Sequence, residues 1–419
     1  MVEASNAHVV SPVALVAWCL DSLTAPGTGA LGLDVDLSLL TVVVPSRNRQ
    51  DYLLRQIRFW ASSSASLIVV DGSIRPLDDR VRSAVDNHRR MTYLHEHSSF
   101  ARRLNLAAAL IETPYSVMLG DDEFHLPSGL GASLSVLEEN PDLVGCMGQV
   151  LSFSPVGSYR RIVLARAYPS LRGYEIRHAV PADRLIAAMS EYAMATCYAV
   201  LRTSVWQRSW GALGEYGSGA AAELQQAMAV YLLGGLATTG HAQWLRSIEN
   251  SNEPLSSTEE KDGKIWFPEW WEGQRYEAER VAFVGRLAEL VADELGADRD
   301  VCASWVIAGA EVFVDENRHE YEFEEPVQRF LTRLIPAAAK MLRTVARCLP
   351  DPLFLGAKRW RGRVLRFLQR SGGNYYGTVE DLPGISRAEG LVIDPAVIDE
   401  IGSVEDMVRE FHALRLDET

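Results

Sequence analysis

Between residues 39 and 125 the chain alternates short apolar runs with polar stretches of helical spacing, and the runs stop at turn-forming residues. Leu39-Leu-Thr-Val-Val-Val44 ends at Pro45-Ser46, and Leu67-Ile-Val-Val70 ends at Asp71-Gly72-Ser73. Met91-Thr-Tyr-Leu94 is a further run, and Tyr115-Ser-Val-Met-Leu119 ends at Gly120-Asp121-Asp122-Glu123. Unbroken apolar runs of this length suit strands buried on both faces, whereas a strand with one wet face alternates apolar and polar residues. Arg47 to Trp60 and Ala101 to Ile111 carry helical periodicity between them. The alternation predicts an α/β fold with a mostly parallel central sheet and helices on its faces. An open sheet of that kind takes ligands in the crevice outside the carboxyl ends of its strands, which is where Ser46, Asp71 and the 121–123 acids fall.

Composition narrows the functional classes. With 47% hydrophobic and 23% charged residues over 419 positions, the chain buries a large core and is neither disordered nor fibrous. Its formal charge of −14 argues against a generic duplex nucleic-acid binder. The five cysteines are odd in number, far apart and without CxxC spacing, which points to a reducing compartment and away from a cysteine zinc site. No apolar run reaches the roughly 18 to 20 residues of a membrane span. No Lys or Arg precedes Arg47, so the start of a secretory leader is not recognisable, and a cytoplasmic location is expected.

Three regions are expected: an extension over 1–38 with one helix, an α/β domain over 39–250, and a Trp-rich joint followed by a mainly helical domain over 251–419. Helical spacing over Ala220 to Leu233, Glu277 to Leu295, Val301 to Val314 and Val327 to Arg347 supports the last two.

Thr41-Val-Val-Val-Pro-Ser-Arg-Asn-Arg49, Ile68-Val-Val-Asp-Gly-Ser73 and Tyr115-Ser-Val-Met-Leu-Gly-Asp-Asp-Glu-Phe124 with Pro127 together resemble the nucleotide-binding half of family 2 glycosyltransferases of the GT-A fold. The resemblance covers residues 41–130, extends more loosely to about 245, and is absent from residues 1–38 and the last third. It implies transfer of a sugar from a nucleoside diphosphate-sugar donor, a UDP-sugar as first expectation, to an acceptor hydroxyl. Inversion at the sugar and assistance by Mg2+ or Mn2+ are implied with it. The acceptor, whether glycan, lipid-linked sugar, protein or small molecule, is left open.

Residue by residue, the resemblance makes Asp122 the leading metal ligand, with Asp121, Glu123 and His241 as further ligands. A hard divalent cation prefers such oxygen donors and would offset the charge on a departing diphosphate. Alignment on Pro127 puts Gly120 where the family has the first Asp of Asp-x-Asp, so Asp121 is expected to take over its contact with nucleotide or metal. Asp71 matches the aspartate that accepts hydrogen bonds from the base. Pro45 and Ser46 match the loop beside the nucleotide, and Arg47, Arg49, Arg102 and Asn105 are expected near the diphosphate and sugar. The carboxylate that accepts the acceptor's proton is expected to be Glu223, at the start of a helix, with Glu215 in reserve.

Other features have blander readings. His95 and His97 form a His-x-His pair without a third ligand, and a structural role is expected. Trp266, Phe267, Trp270 and Trp271 are expected to glue a domain joint, a sugar platform being the alternative. Residues 329–370 hold eleven Lys or Arg against one acid, Asp351. That stretch reads either as a peripheral contact with an anionic inner membrane surface or as a helix packed on the acidic body of the same chain or of a second subunit in a homo-oligomer. The rival functions are a catalytically silent nucleotide-sugar-binding or scaffold protein and a sugar nucleotidyltransferase. The latter is disfavoured by Pro45-Ser-Arg-Asn48 where a Gly-rich loop would stand.

Overall fold

The computed structural model describes residues 13–24, 35–157, 159–249, 265–334, 375–383 and 390–416. Helix α1 (Val13–Thr24) leads into β1 (Leu40–Ser46), α2 (Gln50–Trp60), β2 (Ser66–Asp71), α3 (Asp79–Asp86), β3 (Met91–His95), α4 (Phe100–Ala108) and β4 (Tyr115–Met118). Then follow β5 (Phe124–His125), α5 (Pro127–Glu139), β6 (Leu143–Val156), β7 (Arg161–Ala167), β8 (Glu175–Ile176), α6 (Pro181–Ser190), β9 (Val200–Arg202), α7 (Thr203–Arg208), α8 (Gly219–Leu233) and β10 (Gly235–Ser247). The last described elements are α9 (Phe267–Glu272), α10 (Glu277–Leu295), α11 (Arg299–Leu334), β11 (Tyr375–Gly377) and α12 (Pro395–Leu416).

The result is a mixed α/β molecule whose central sheet is mostly parallel. Strands β3, β2, β1 and β4 run parallel, with Val43 opposite Ile68 on one side and Met118 on the other. Val42, Val43 and Val44 are fully buried, as an apolar run sandwiched between helix layers must be. Beyond β4 the sheet changes character. The short strand β9 pairs antiparallel with β4 and with β6, and β6 pairs parallel with β10 and antiparallel with β7. Pro45 lies inside β1, one residue short of its end, and does not terminate it.

One apolar core joins residues from α1 to α12. Leu15 and Cys19 of α1 are buried in it, and so are Val404, Val408 and Phe411 of α12. Strand β11 adds to the sheet edge beside β7. Trp266, Phe267, Trp270 and Trp271 lie at α9, where Phe267 and Trp270 are buried among Tyr216, Phe283 and Phe313. These rings meet others from α10 and α11 edge-on or tilted. Residues 335–374 lie outside the described residues, and with them nearly all of the basic stretch 329–370. No helix among the described residues is long and apolar enough to cross a membrane.

Candidate functional site

A pocket of about 350 Å³ opens at the carboxyl ends of β1 and β4, within the size range of small-ligand sites, about 300–1,000 Å³. The end of β1 and the loop after it contribute Pro45, Ser46, Arg47 and Arg49, and the end of β4 and the turn after it contribute Met118 to Glu123. Phe100 and Arg103 of α4 and Tyr198, from the turn before β9, complete the lining.

The β1–α2 connection turns through Asn48, which holds a left-handed φ of 58°, a conformation Asn tolerates better than most residues. Its N–H donates to Ser73 Oγ at 2.9 Å. The turn directs Arg49 across the acidic turn that follows β4. Arg49 Nη1 lies 2.8 Å from Asp121 Oδ1, and Nη2 lies 2.7 Å from Asp122 Oδ2. The other Asp121 oxygen accepts from Ser46 Oγ at 2.6 Å. Burial pushes the Asp121 carboxyl up to about 6, with Arg49 pulling the other way. Burial also works against the charge on Arg49, and the two aspartates more than restore it.

Helix α2 holds the same turn by its backbone. Gln56 Nε2 donates to the carbonyls of Asp121 at 3.1 Å and Glu123 at 2.6 Å, and Arg55 Nη2 donates to that of Asp122 at 2.8 Å. Glu123 curls back over Gly120, where a Cβ would meet its Oε2 at 2.7 Å. That contact accounts for the glycine: a side chain at position 120 and the present placement of Glu123 exclude each other. Trp244 Nε1 donates to the same oxygen at 3.1 Å. Burial, reinforced by the charge on Asp122, pushes the Glu123 carboxyl up to about 8. Trp244 stacks between Tyr198, at 4.1 Å, and Tyr168, at 5.7 Å, so an aromatic tier backs the acidic turn.

On α4 the arginine that reaches the pocket is not the expected Arg102 but its neighbour Arg103. Arg102 is exposed, because neighbours on a helix point about 100° apart. Arg103 is buried, with Nη1 donating to the carbonyls of Ser46 and Val70. A Cβ on Gly72 would lie 2.4 Å from that nitrogen, so the glycine of Asp71-Gly72-Ser73 makes room for the guanidinium. Asn105 faces Leu213, whose carbonyl accepts from Nδ2 at 3.4 Å, and is not part of the lining.

Asp71 does not line the pocket. It is fully buried and accepts from Ser73 N, Gln50 Nε2 and Tyr93 Oη at 2.9, 3.0 and 2.7 Å, so it fastens the loop after β2. His95 and His97 belong to the same brace, donating to the carbonyls of Ser73 and Gly72. Glu215 is exposed and accepts from Ser99 Oγ, the N-cap of α4, one residue from pocket-lining Phe100. Glu223 lies on the first turns of α8 and accepts from Tyr192 Oη at 3.0 Å. Burial pushes its carboxyl up to about 7, and its charge opposes ionisation of Tyr198. His241 sits within β10, not on a loop, and bridges to Val392 away from the pocket lining.

The expected Mg2+ or Mn2+ does not fit this arrangement. Among the described residues, no three His, Cys, Asp or Glu side chains converge as a metal-binding group. Within the acidic turn, both Asp121 oxygens are engaged, Arg49 pairs with Asp122, Trp244 holds Glu123, and α2 takes the three carbonyls. Hard-cation sites are built from just these oxygens.

Arg47, Phe100, Arg103 and Tyr198 together with the acidic turn make a mouth that presents guanidinium groups, carboxyls and aromatic faces within one small volume. No family model matches the chain, and no curated protein matches it. Solved structures similar to it include residues 1–349 of S. aureus TarS in complex with UDP-GlcNAc, 10% identical, with 67% of this chain and 91% of that one covered at a TM-score of 0.36. S. aureus TarS in a second structure is 11% identical, with 67% and 55% covered at a TM-score of 0.36. The chemistry of the pocket is therefore read from its own residues.

Proposed function

We propose that the chain is a glycosyltransferase of the GT-A type that takes a sugar from a nucleoside diphosphate donor, a UDP-sugar first among them, and passes it to an acceptor hydroxyl. The observation that carries this reading is the convergence of Arg47, Arg49 and Arg103 on a strand-end pocket. Guanidinium forks match phosphate oxygens in geometry and charge. Tyr198, stacked on Trp244, offers a ring face of the kind on which a sugar packs. Inversion needs a carboxylate that accepts the proton of the incoming hydroxyl. Glu223, with its carboxyl near 7, is matched to that task, and Glu215 stands in reserve near the α4 edge of the pocket.

A thermal-shift screen with UDP, GDP, dTDP and ADP and their common sugar conjugates tests the reading, because a ligand that binds the folded state raises its apparent stability by mass action. Stabilisation by one nucleotide together with release of that nucleotide from its sugar conjugate is the expected outcome. A second reading, a nucleotide-sugar binder without turnover, is favoured by the absence of both Glu215 and Glu223 from the pocket lining. Stabilisation without nucleotide release would establish it, and no stabilisation by any of the nucleotides would remove both.

A further inference from the structure

We infer that Arg49 itself does the charge work for the donor's diphosphate, so that nucleotide binding at this pocket needs no divalent cation. The inference rests on the donor reading given above and says how that site handles its most charged part.

The geometry is that of a cation already in place. One guanidinium spans two carboxylates, 2.8 Å from Asp121 and 2.7 Å from Asp122. A metal ion that recruits a diphosphate to an acidic turn likewise offsets the acids, and at this pocket Arg47 and Arg103 add further positive charge beside Arg49. Arg49 is about a third exposed and lines the pocket, and its Nη2 is itself buried beside Asp122, so a ligand would meet the guanidinium through its exposed part. A guanidinium has five N–H donors, more than two carboxylate contacts use. Tyr52 supports it from the other face, its ring centroid 4.6 Å from the guanidinium carbon.

The charge balance of the pocket agrees. Arg47, Arg49 and Arg103 face Asp121, Asp122 and Glu123, so the lining is not net negative even with every acid ionised. An acidic turn that relied on a metal would repel a diphosphate until the ion arrived. Here three guanidiniums already oppose the acids, one of them fixed between two aspartates. Gly120 completes the picture. The position at which the resembled family carries a further aspartate is closed to any side chain by Glu123. One carboxylate fewer and one bridging arginine more change the turn in the same direction.

Isothermal titration of the full chain with UDP, GDP, dTDP and ADP, in EDTA and then in Mn2+, tests this. The expected result is one preferred nucleotide bound with the same affinity in both buffers. Arg49→Ala is expected to weaken that binding in EDTA by about tenfold or more, the scale of a lost charge-assisted contact to phosphate. With Asp121 and Asp122 released from their partner, Mn2+ is expected to restore part of the loss. Wild-type binding that disappears in EDTA and returns with Mn2+ would overturn the inference and leave the donor reading standing. This comparison needs no variant, so a failure of Arg49→Ala to fold does not shelter the idea. A folded Arg49→Ala protein that binds as tightly as wild type in EDTA would also overturn it. Binding of no nucleotide in either buffer would take down the donor reading, and the inference with it.

Discussion

Two side chains show how closely single positions are matched here. Arg103 reaches the carbonyls of Ser46 and Val70 only because residue 72 has no Cβ. Gly72→Ala is expected to push the guanidinium off those acceptors, at a cost of about 1–3 kcal/mol for the buried groups left unpaired, measured by urea unfolding. An unchanged midpoint would mean that Arg103 finds other partners. Glu223 makes a prediction with a sign. Its folded-state carboxyl is raised from 4.5 to about 7, so the stability tied to its neutral form is full below 4.5 and lost as pH rises through 7. Glu223→Gln is therefore expected to be more stable than wild type at pH 8, by about 2 kcal/mol, and to lose that advantage at pH 4. Equal melting differences at the two pH values would show that burial does not hold this carboxyl neutral. The sequence located Glu223 at a helix start and Arg49 in a strand-end loop. It did not separate Arg102 from Arg103, because a one-residue shift around a helix changes the face presented and leaves the local pattern alike. Nor could it show Asp71 occupied by Gln50 and Tyr93, partners that reach it from neighbouring elements.

Helix α2 is the element on which the site depends. Its outer end carries Arg49 and its inner face carries Arg55, fully buried with Glu249, the two joined at 3.1 Å, while His412 of α12 donates to the other oxygen of Glu249. Arg55 also stacks on the rings of Tyr52, Phe124 and Phe411, with separations of 4.7 to 4.9 Å. Arg55→Met is expected to cost about 3–5 kcal/mol by stranding the buried charge of Glu249, and Arg55→Met combined with Glu249→Leu is expected to cost less than Arg55→Met alone. Chemical denaturation of the two variants checks the order, and a double variant weaker than the single one would refute it. The strands and helices of 39–119 were legible from sequence because burial on both faces writes itself into unbroken apolar runs. The pairings of β9 with β4 and β6, and of β10 with β6, left no such local mark. They join segments far apart in the chain, and β10 shifts register along its length.

At the scale of the molecule, the buried Arg55–Glu249–His412 cluster sets an acid limit. Burial would raise the Glu249 carboxyl, but Arg55 and His412 overcome it and hold it near 2, below the ordinary 4.5. The stability this contributes is complete above 4.5 and is lost as pH falls toward 2. His412, pushed down by burial, adds a loss that begins below its ordinary 6.5. Stability measured from pH 7 to pH 2 is expected to fall through that whole interval, and Glu249→Gln is expected to flatten its lower part. A wild-type profile that is level down to pH 3 would contradict the assignment. One apolar core among the described residues takes in buried residues from α1 to α12.

The link from His412 through Glu249 and Arg55 to the carbonyl of Asp122 also has a meaning in time. A ribosome delivers the strand ends that line the pocket early and α12 late. Until residue 412 has emerged, Arg55 has its acid but not the Phe411 ring and the His412 imidazole that seal the pair. A growing chain would thus display every residue of the pocket well before α12 is made, and the seal over the Arg55–Glu249 pair behind the acidic turn would close only then.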